Sequence, residues 1–224
     1  MLTPTAAAVE HLSGLEFERE RGEGYINRAR RVIIAPSCAG VNFLIAAACM
    51  AIFSYTHLVP TFTGKAAWFG GSLLASYLLT IAVNAVRIVL AISLYQARWA
   101  ARFDAAQLHR LAGIAVYCSA LCGFFLLLGR VARRSLPQAE SRRFASLAPI
   151  FWYAAIAILV PLLNPNYQGD RLRLLNHAAV VLIGSFTVWG LLTLLRKSLS
   201  RRFSLDFMRR AWHDETHGVQ SNKL

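Results

Sequence analysis

The sequence predicts an all-α polytopic membrane protein of about five transmembrane helices, with a short extracytoplasmic β-hairpin before the first. Three observations carry that expectation. Apolar residues are 56% of the 224-residue chain, and about 59% with Gly counted in place of Tyr, where soluble domains hold about 45–50%. Charged residues are 16% instead of roughly 25%, and mean hydropathy is +0.45. The apolar residues also gather into runs near the roughly 20 helical residues that cross a hydrocarbon core. Disorder, collagen, coiled coil and disulfide-rich scaffolds are excluded by the same composition.

The first run extends from Gly40 to Val59 without a charge. The second, Ala66 to Tyr95, is broken only by Asn84 and Arg87, and the third spans Leu108 to Gly129. The fourth, Leu147 to Leu163, is short and ends at Pro161, and the fifth covers His177 to Leu195. Met1–Leu15 lacks a basic start and is broken by Pro4, Glu10 and His11, so no secretory signal peptide is expected there. Leu15–Arg19 alternates apolar and polar residues, as does Tyr25–Ile34 less regularly, with Gly22-Glu23-Gly24 between them. That pattern predicts the hairpin.

The net charge is +13, but its placement argues for a bilayer and against nucleic acid. Arg130, Arg133, Arg134, Arg142 and Arg143 follow the third run; Arg196, Lys197, Arg201, Arg202, Arg209 and Arg210 follow the last. Basic residues just outside apolar spans set membrane orientation, whereas a nucleic-acid surface needs a folded basic face with base-reading side chains. Both basic segments are expected in the cytoplasm. The segment before Gly40, the Gln96–Gln107 loop and the Asn164–Asn176 loop are then outside. Four regions follow: residues 1–39 with the hairpin, a three-span core at 40–130, two further spans at 131–195, and a basic cytoplasmic tail at 196–224.

Under this topology Cys38, Arg87 and His109 fall at one depth, near the outer surface. Each has a plain reading: an inert thiol, an interfacial anchor that snorkels to headgroups, and a polar residue starting a helix. A charge inside a span, however, costs about 2.5–3.5 kcal/mol on insertion scales and by default marks function. Cys49, Cys118 and Cys122 lie mid-span, where cysteine behaves as a small hydrophobe. Only Cys38 combines solvent access with a helix start, surroundings that favour a thiolate. Asn84, three residues before Arg87, shares its helix face and either supports such a site or satisfies another helix. His213 and His217 have metal-like i, i+4 spacing, but in a basic tail and without an HExxH pattern. Trp68, Trp99, Trp152 and Trp189 read as belt or packing residues, and His57 and His177 as interfacial polar caps. Spans nearly free of carboxylates argue against an ion-coupled transporter.

Ser37-Cys38-Ala39-Gly40, then Asn84-Ala85-Val86-Arg87, then His109 with Gly113 four residues on, resembles the exosortase/archaeosortase family. Gly24–Asn27 and Ile34–Leu44 look most like its short subgroup, exosortase K. The resemblance covers about Leu12 to Arg130. It implies a membrane-embedded cysteine protease/transpeptidase of the bacterial inner membrane, with its active site on the extracytoplasmic side. Implied partners are exported proteins ending in a short motif, a hydrophobic helix and a basic tail. Cys38, Arg87 and His109 carry over as the catalytic set, with Asn84 in support. The family is typically longer, with a hydrophobic helix before the Cys-bearing segment. Met1–Val9 resembles the stub of that helix, as if the start were assigned late or the chain truncated.

Acyl transfer through a thiol requires neither metal nor nucleotide, so no cofactor is expected. The competing reading is a non-catalytic membrane assembly or export subunit in which Arg87 and His109 bind anionic groups.

Overall fold

A computed structural model describes residues 1–96, 105–135, 147–163, 172, 174–195 and 198. In chain order these form α1 (Leu2–Ser13), β1 (Glu18–Glu20), β2 (Gly24–Asn27), β3 (Val32–Ile34) and a 3₁₀ turn (Pro36–Ala39). Then come α2 (Val41–Tyr55), a second 3₁₀ turn (Thr56–Leu58), α3 (Phe62–Gln96), α4 (Ala105–Ser135) and α5 (Ala148–Leu163). The last described helix, α6, is Leu174–Leu195. The segments Pro36–Leu58, Phe62–Tyr95, Gln107–Ala132 and Leu174–Leu195 are long and apolar enough to cross a membrane. α5, with 16 residues, reaches about 24 Å, short of a roughly 30 Å hydrocarbon core. The fold is that of a multi-pass helical membrane protein.

Large apolar side chains point outward, among them Phe53, Leu78 and Ile183, because lipid solvates them as well as a protein core does. Small and polar residues line part of the seams between helices, beside a core of Phe43, Met50, Ile114, Leu121 and Phe124. α2 buries Ala46, Ala47, Ala48 and Ala51; α3 buries Ser72, Ser76, Thr80 and Asn84, spaced four apart and so on one stripe. α2 and α3 run antiparallel: Gly40 lies against Thr80 and Asn84, while at the far end the Trp68 indole donates to the Ala51 carbonyl at 3.1 Å. There the Tyr55 hydroxyl donates to the Phe125 carbonyl at 3.0 Å, fixing α4 parallel to α2. Trp68 is thus a packing residue.

The N-terminal segment departs from the expected hairpin. Three antiparallel strands form in the order β1-β2-β3, because the polar run Asn27–Arg31 interrupts the second alternating stretch. Asn27 accepts the Arg30 amide at 2.7 Å and donates to the Glu16 carbonyl at 2.7 Å, and Arg31 turns the chain at φ 53°. Residues 2–13, which include most of the Met1–Val9 segment likened to a helix stub, form α1. Its Ala6 and Val9 pack with Ala85, Ile88 and Ile92 of α3, along with Phe17 and Ile34. Glu10 accepts the Phe17 amide at 2.9 Å and so ties α1 to the start of the sheet segment.

Pro161, expected to end the fourth span, lies inside α5. A helical proline leaves the carbonyl four residues earlier without its donor. The carbonyl of Ala157 takes one from α6 instead, the His177 Nε2–H at 3.1 Å. His177 therefore caps the carbonyl that Pro161 leaves without its helical donor. Arg142, Arg143, Trp99 and the tail with His213 and His217 lie outside the described residues.

Candidate active site

The start of α2, the last third of α3 and the first turns of α4 meet at one end of the bundle. Cys38 sits in the 3₁₀ turn ahead of α2, not on the first α-helical turn, and its amide donates to the Ala35 carbonyl at 2.8 Å. Gly40 joins turn to helix in the left-handed conformation, φ 75°, which glycine adopts without steric cost. A Cβ on Gly40 would press on Thr80 at 3.1 Å and on the Asn84 amide at 3.2 Å. Both facts explain why a glycine follows two residues after the cysteine.

Asn84, fully buried on α3, donates from Nδ2 to the Cys38 carbonyl. The turn that carries the thiol is thereby anchored to α3. Arg87, one helical turn on, reaches across to α4. Its Nη2 lies 2.7 Å from His109 Nε2, and its Nη1 donates to the Tyr117 hydroxyl at 3.1 Å and toward Asn84 Oδ1 at 3.4 Å. Arginine has no acceptor. His109 Nε2 must therefore be the accepting nitrogen, and the proton of its neutral ring rests on Nδ1. Arg87 Nε is buried and meets no acceptor among the described residues. A Cβ on Gly113 would lie 3.3 Å from that Nε, so the glycine four residues after His109 makes room for the guanidinium.

Tyr117 is the participant that the sequence reading omitted. Its hydroxyl donates to Asn84 Oδ1 at 2.8 Å. Its ring stacks on Phe43 of α2 with centroids 4.6 Å apart and lies 5.2 Å from the Arg87 guanidinium carbon. The signal was present: Tyr117 follows His109 by eight residues and Gly113 by four, which places all three on one face of α4. Cys38 is half-buried against the cluster of Ala85 and Ile88. Cys49, Cys118 and Cys122 are free thiols on the helices; Cys118 faces the Ser185 carbonyl of α6 at 3.8 Å. Among the described residues no three His, Cys, Asp or Glu side chains converge as a metal ion requires.

Fold and cluster together define a polytopic membrane protein with a polar, cysteine-bearing site built from three helices. The family model described as transmembrane exosortase (exosortase EpsH) matches residues 1–128. The chain belongs to that family, whose members are generally cysteine proteases that process sorting signals. Comparison with curated proteins and with solved structures gave no match.

Proposed function

We propose that this protein, in the exosortase K subgroup, cleaves C-terminal sorting signals of exported proteins through a Cys38 thioester. The reading places it in the bacterial inner membrane with Cys38, Arg87 and His109 on the extracytoplasmic side. One observation carries it: Arg87 bonds His109 and contacts the Asn84 that holds the Cys38 carbonyl, linking the imidazole and the backbone of the cysteine-bearing turn through one guanidinium.

In the resting arrangement His109 Nε2 is occupied by Arg87. When a substrate carbonyl enters, the guanidinium turns to it, satisfying a donor that is otherwise unmet and releasing Nε2. The Cys38 sulfur attacks the scissile carbonyl carbon while its proton passes to His109 Nε2. Arg87 stabilises the oxyanion. As the C–N bond breaks, the imidazolium returns the proton to the leaving amine. An acceptor amine or water then opens the thioester and restores the thiol.

The substrate's hydrophobic helix needs a lipid-facing place beside this site. A groove of about 520 Å³ lies between α3 and α4, lined by Ala82, Val83, Val86, Ala115, Val116 and Ser119 among others. It starts next to Arg87 and extends one to two turns from it. Small side chains let a third helix approach closely, and this groove is the docking place the reading assigns.

The test is processing in cells of an exported protein that carries a motif, hydrophobic helix and basic tail and is encoded near the enzyme. Cys38→Ala should insert normally and leave that protein uncut; normal processing by Cys38→Ala removes the proposal.

A further inference from the structure

We infer that Tyr117 is a positioning residue for this reaction: its hydroxyl sets the direction of a hydrogen-bond chain running from Arg87 through Asn84 to the Cys38 carbonyl. The inference rests on the catalytic reading above, and goes beyond the Cys–Arg–His set.

Direction follows from donor chemistry. Arg87 Nη1 can only donate, so the Tyr117 oxygen accepts at 3.1 Å. The hydroxyl has a single proton, and its remaining partner is Asn84 Oδ1 at 2.8 Å. An oxygen that receives this proton is the amide's acceptor end, so Nδ2 must be the end that faces the Cys38 carbonyl. Each link leaves one orientation for the next. A guanidinium on α3 thereby fixes the turn that carries the thiol through a hydroxyl on α4. Without that hydroxyl, Asn84 Oδ1 keeps only the 3.4 Å approach of Arg87, beyond the usual range of an N–H···O bond. The amide is then held chiefly by its bond to the Cys38 carbonyl and can tilt away from the position that the hydroxyl imposed.

Packing alone does not account for the residue. The stack on Phe43 and the face presented to Arg87 belong to the ring, and phenylalanine would supply both. Burying a hydroxyl there is justified by its two partners, both of which belong to the site. Phe43 lies five residues after Cys38, so ring and hydroxyl grip the same stretch of chain from two sides.

Tyr117→Phe separates the two roles. The readout is cleavage of the exported sorting-signal protein by purified enzyme in lipid nanodiscs, per mole of inserted enzyme, with Cys38→Ala as the zero. A single interhelical hydrogen bond contributes little to membrane-protein stability, so the variant should insert at wild-type levels. Its maximal rate should fall about 10- to 100-fold, the scale of a misplacement near 1 Å, with half-saturating substrate unchanged. Asn84→Ala, which keeps the tyrosine and removes its acceptor, should lose as much. The double variant should be no slower than the worse single one. Tyr117→Phe within twofold of wild type, a raised half-saturation at full maximal rate, or losses that multiply in the double variant would each overturn the inference. Those outcomes with an inactive Cys38→Ala leave the catalytic reading standing; cleavage by Cys38→Ala removes both.

Discussion

Arg87 and His109 form a 2.7 Å contact between α3 and α4 in which the histidine nitrogen can only accept. This fixes the imidazole as the Nδ1–H tautomer until the arginine moves. Arg87→Lys should therefore fail to rescue activity. An ammonium retains the charge but cannot hold His109, Tyr117 and the Asn84 oxygen from one planar group. We expect processing below about 1% of wild type, close to Arg87→Ala, checked by immunoblot of precursor and product. Processing near the wild-type level in Arg87→Lys would mean that charge alone suffices.

Gly40 and Gly113 should each resist even a methyl group. Gly113→Ala presses on Arg87 Nε at 3.3 Å and should lower the processing rate about 10- to 100-fold with little change in inserted protein. Gly40→Ala also forces a left-handed backbone on alanine, a cost of about 1–2 kcal/mol, and should lower stability as well as rate. Thermal unfolding in detergent beside the rate assay separates the two cases.

The carbonyl freed by Pro161 and the ring of His177 should behave as a coupled pair. His177→Leu leaves the Ala157 carbonyl unmet and is expected to destabilise the protein by about 1 kcal/mol. Pro161→Ala returns a backbone donor to the helix, so the same leucine should cost less in that background. Equal costs in both backgrounds, measured by denaturant titration in mixed micelles, would break the link.

A bulky residue in the α3–α4 groove should block substrate without touching the polar cluster. Ala82→Trp or Ala115→Trp is expected to cut processing at least about 10-fold through a raised half-saturation. The rate at which a small thiol reagent labels Cys38 should stay unchanged. Loss of labelling together with processing would show that the tryptophan had disturbed the site itself.

Sidedness is open to direct labelling. In a Cys49→Ala/Cys118→Ala/Cys122→Ala background, a membrane-impermeant maleimide added to intact spheroplasts should modify Cys38. Modification only after lysis would reverse the assigned orientation.

Much of the membrane architecture was legible because lipid demands long apolar runs, and such runs are visible in a linear chain. Arg87 stood out for the same reason, as a charge where charge is costly. The third strand was less visible: its turn depends on the Asn27 side chain satisfying two backbone groups, which no alternation pattern encodes. Tyr117 was hidden in plain view. A tyrosine in an apolar run reads as one more aromatic until its hydroxyl is seen between an arginine and an asparagine of another helix.

By itself the sequence determined where the long apolar segments lie, and which rare polar residues they carry, since both depend on local composition against a fixed hydrocarbon thickness. Tertiary structure decided the rest: which nitrogen of His109 is free, why glycine follows Cys38 and His109 at those spacings, and what holds the thiol's turn. Those answers arise from contacts between residues 22 to 46 positions apart, and only the packing of three helices brings such distant groups within bonding range.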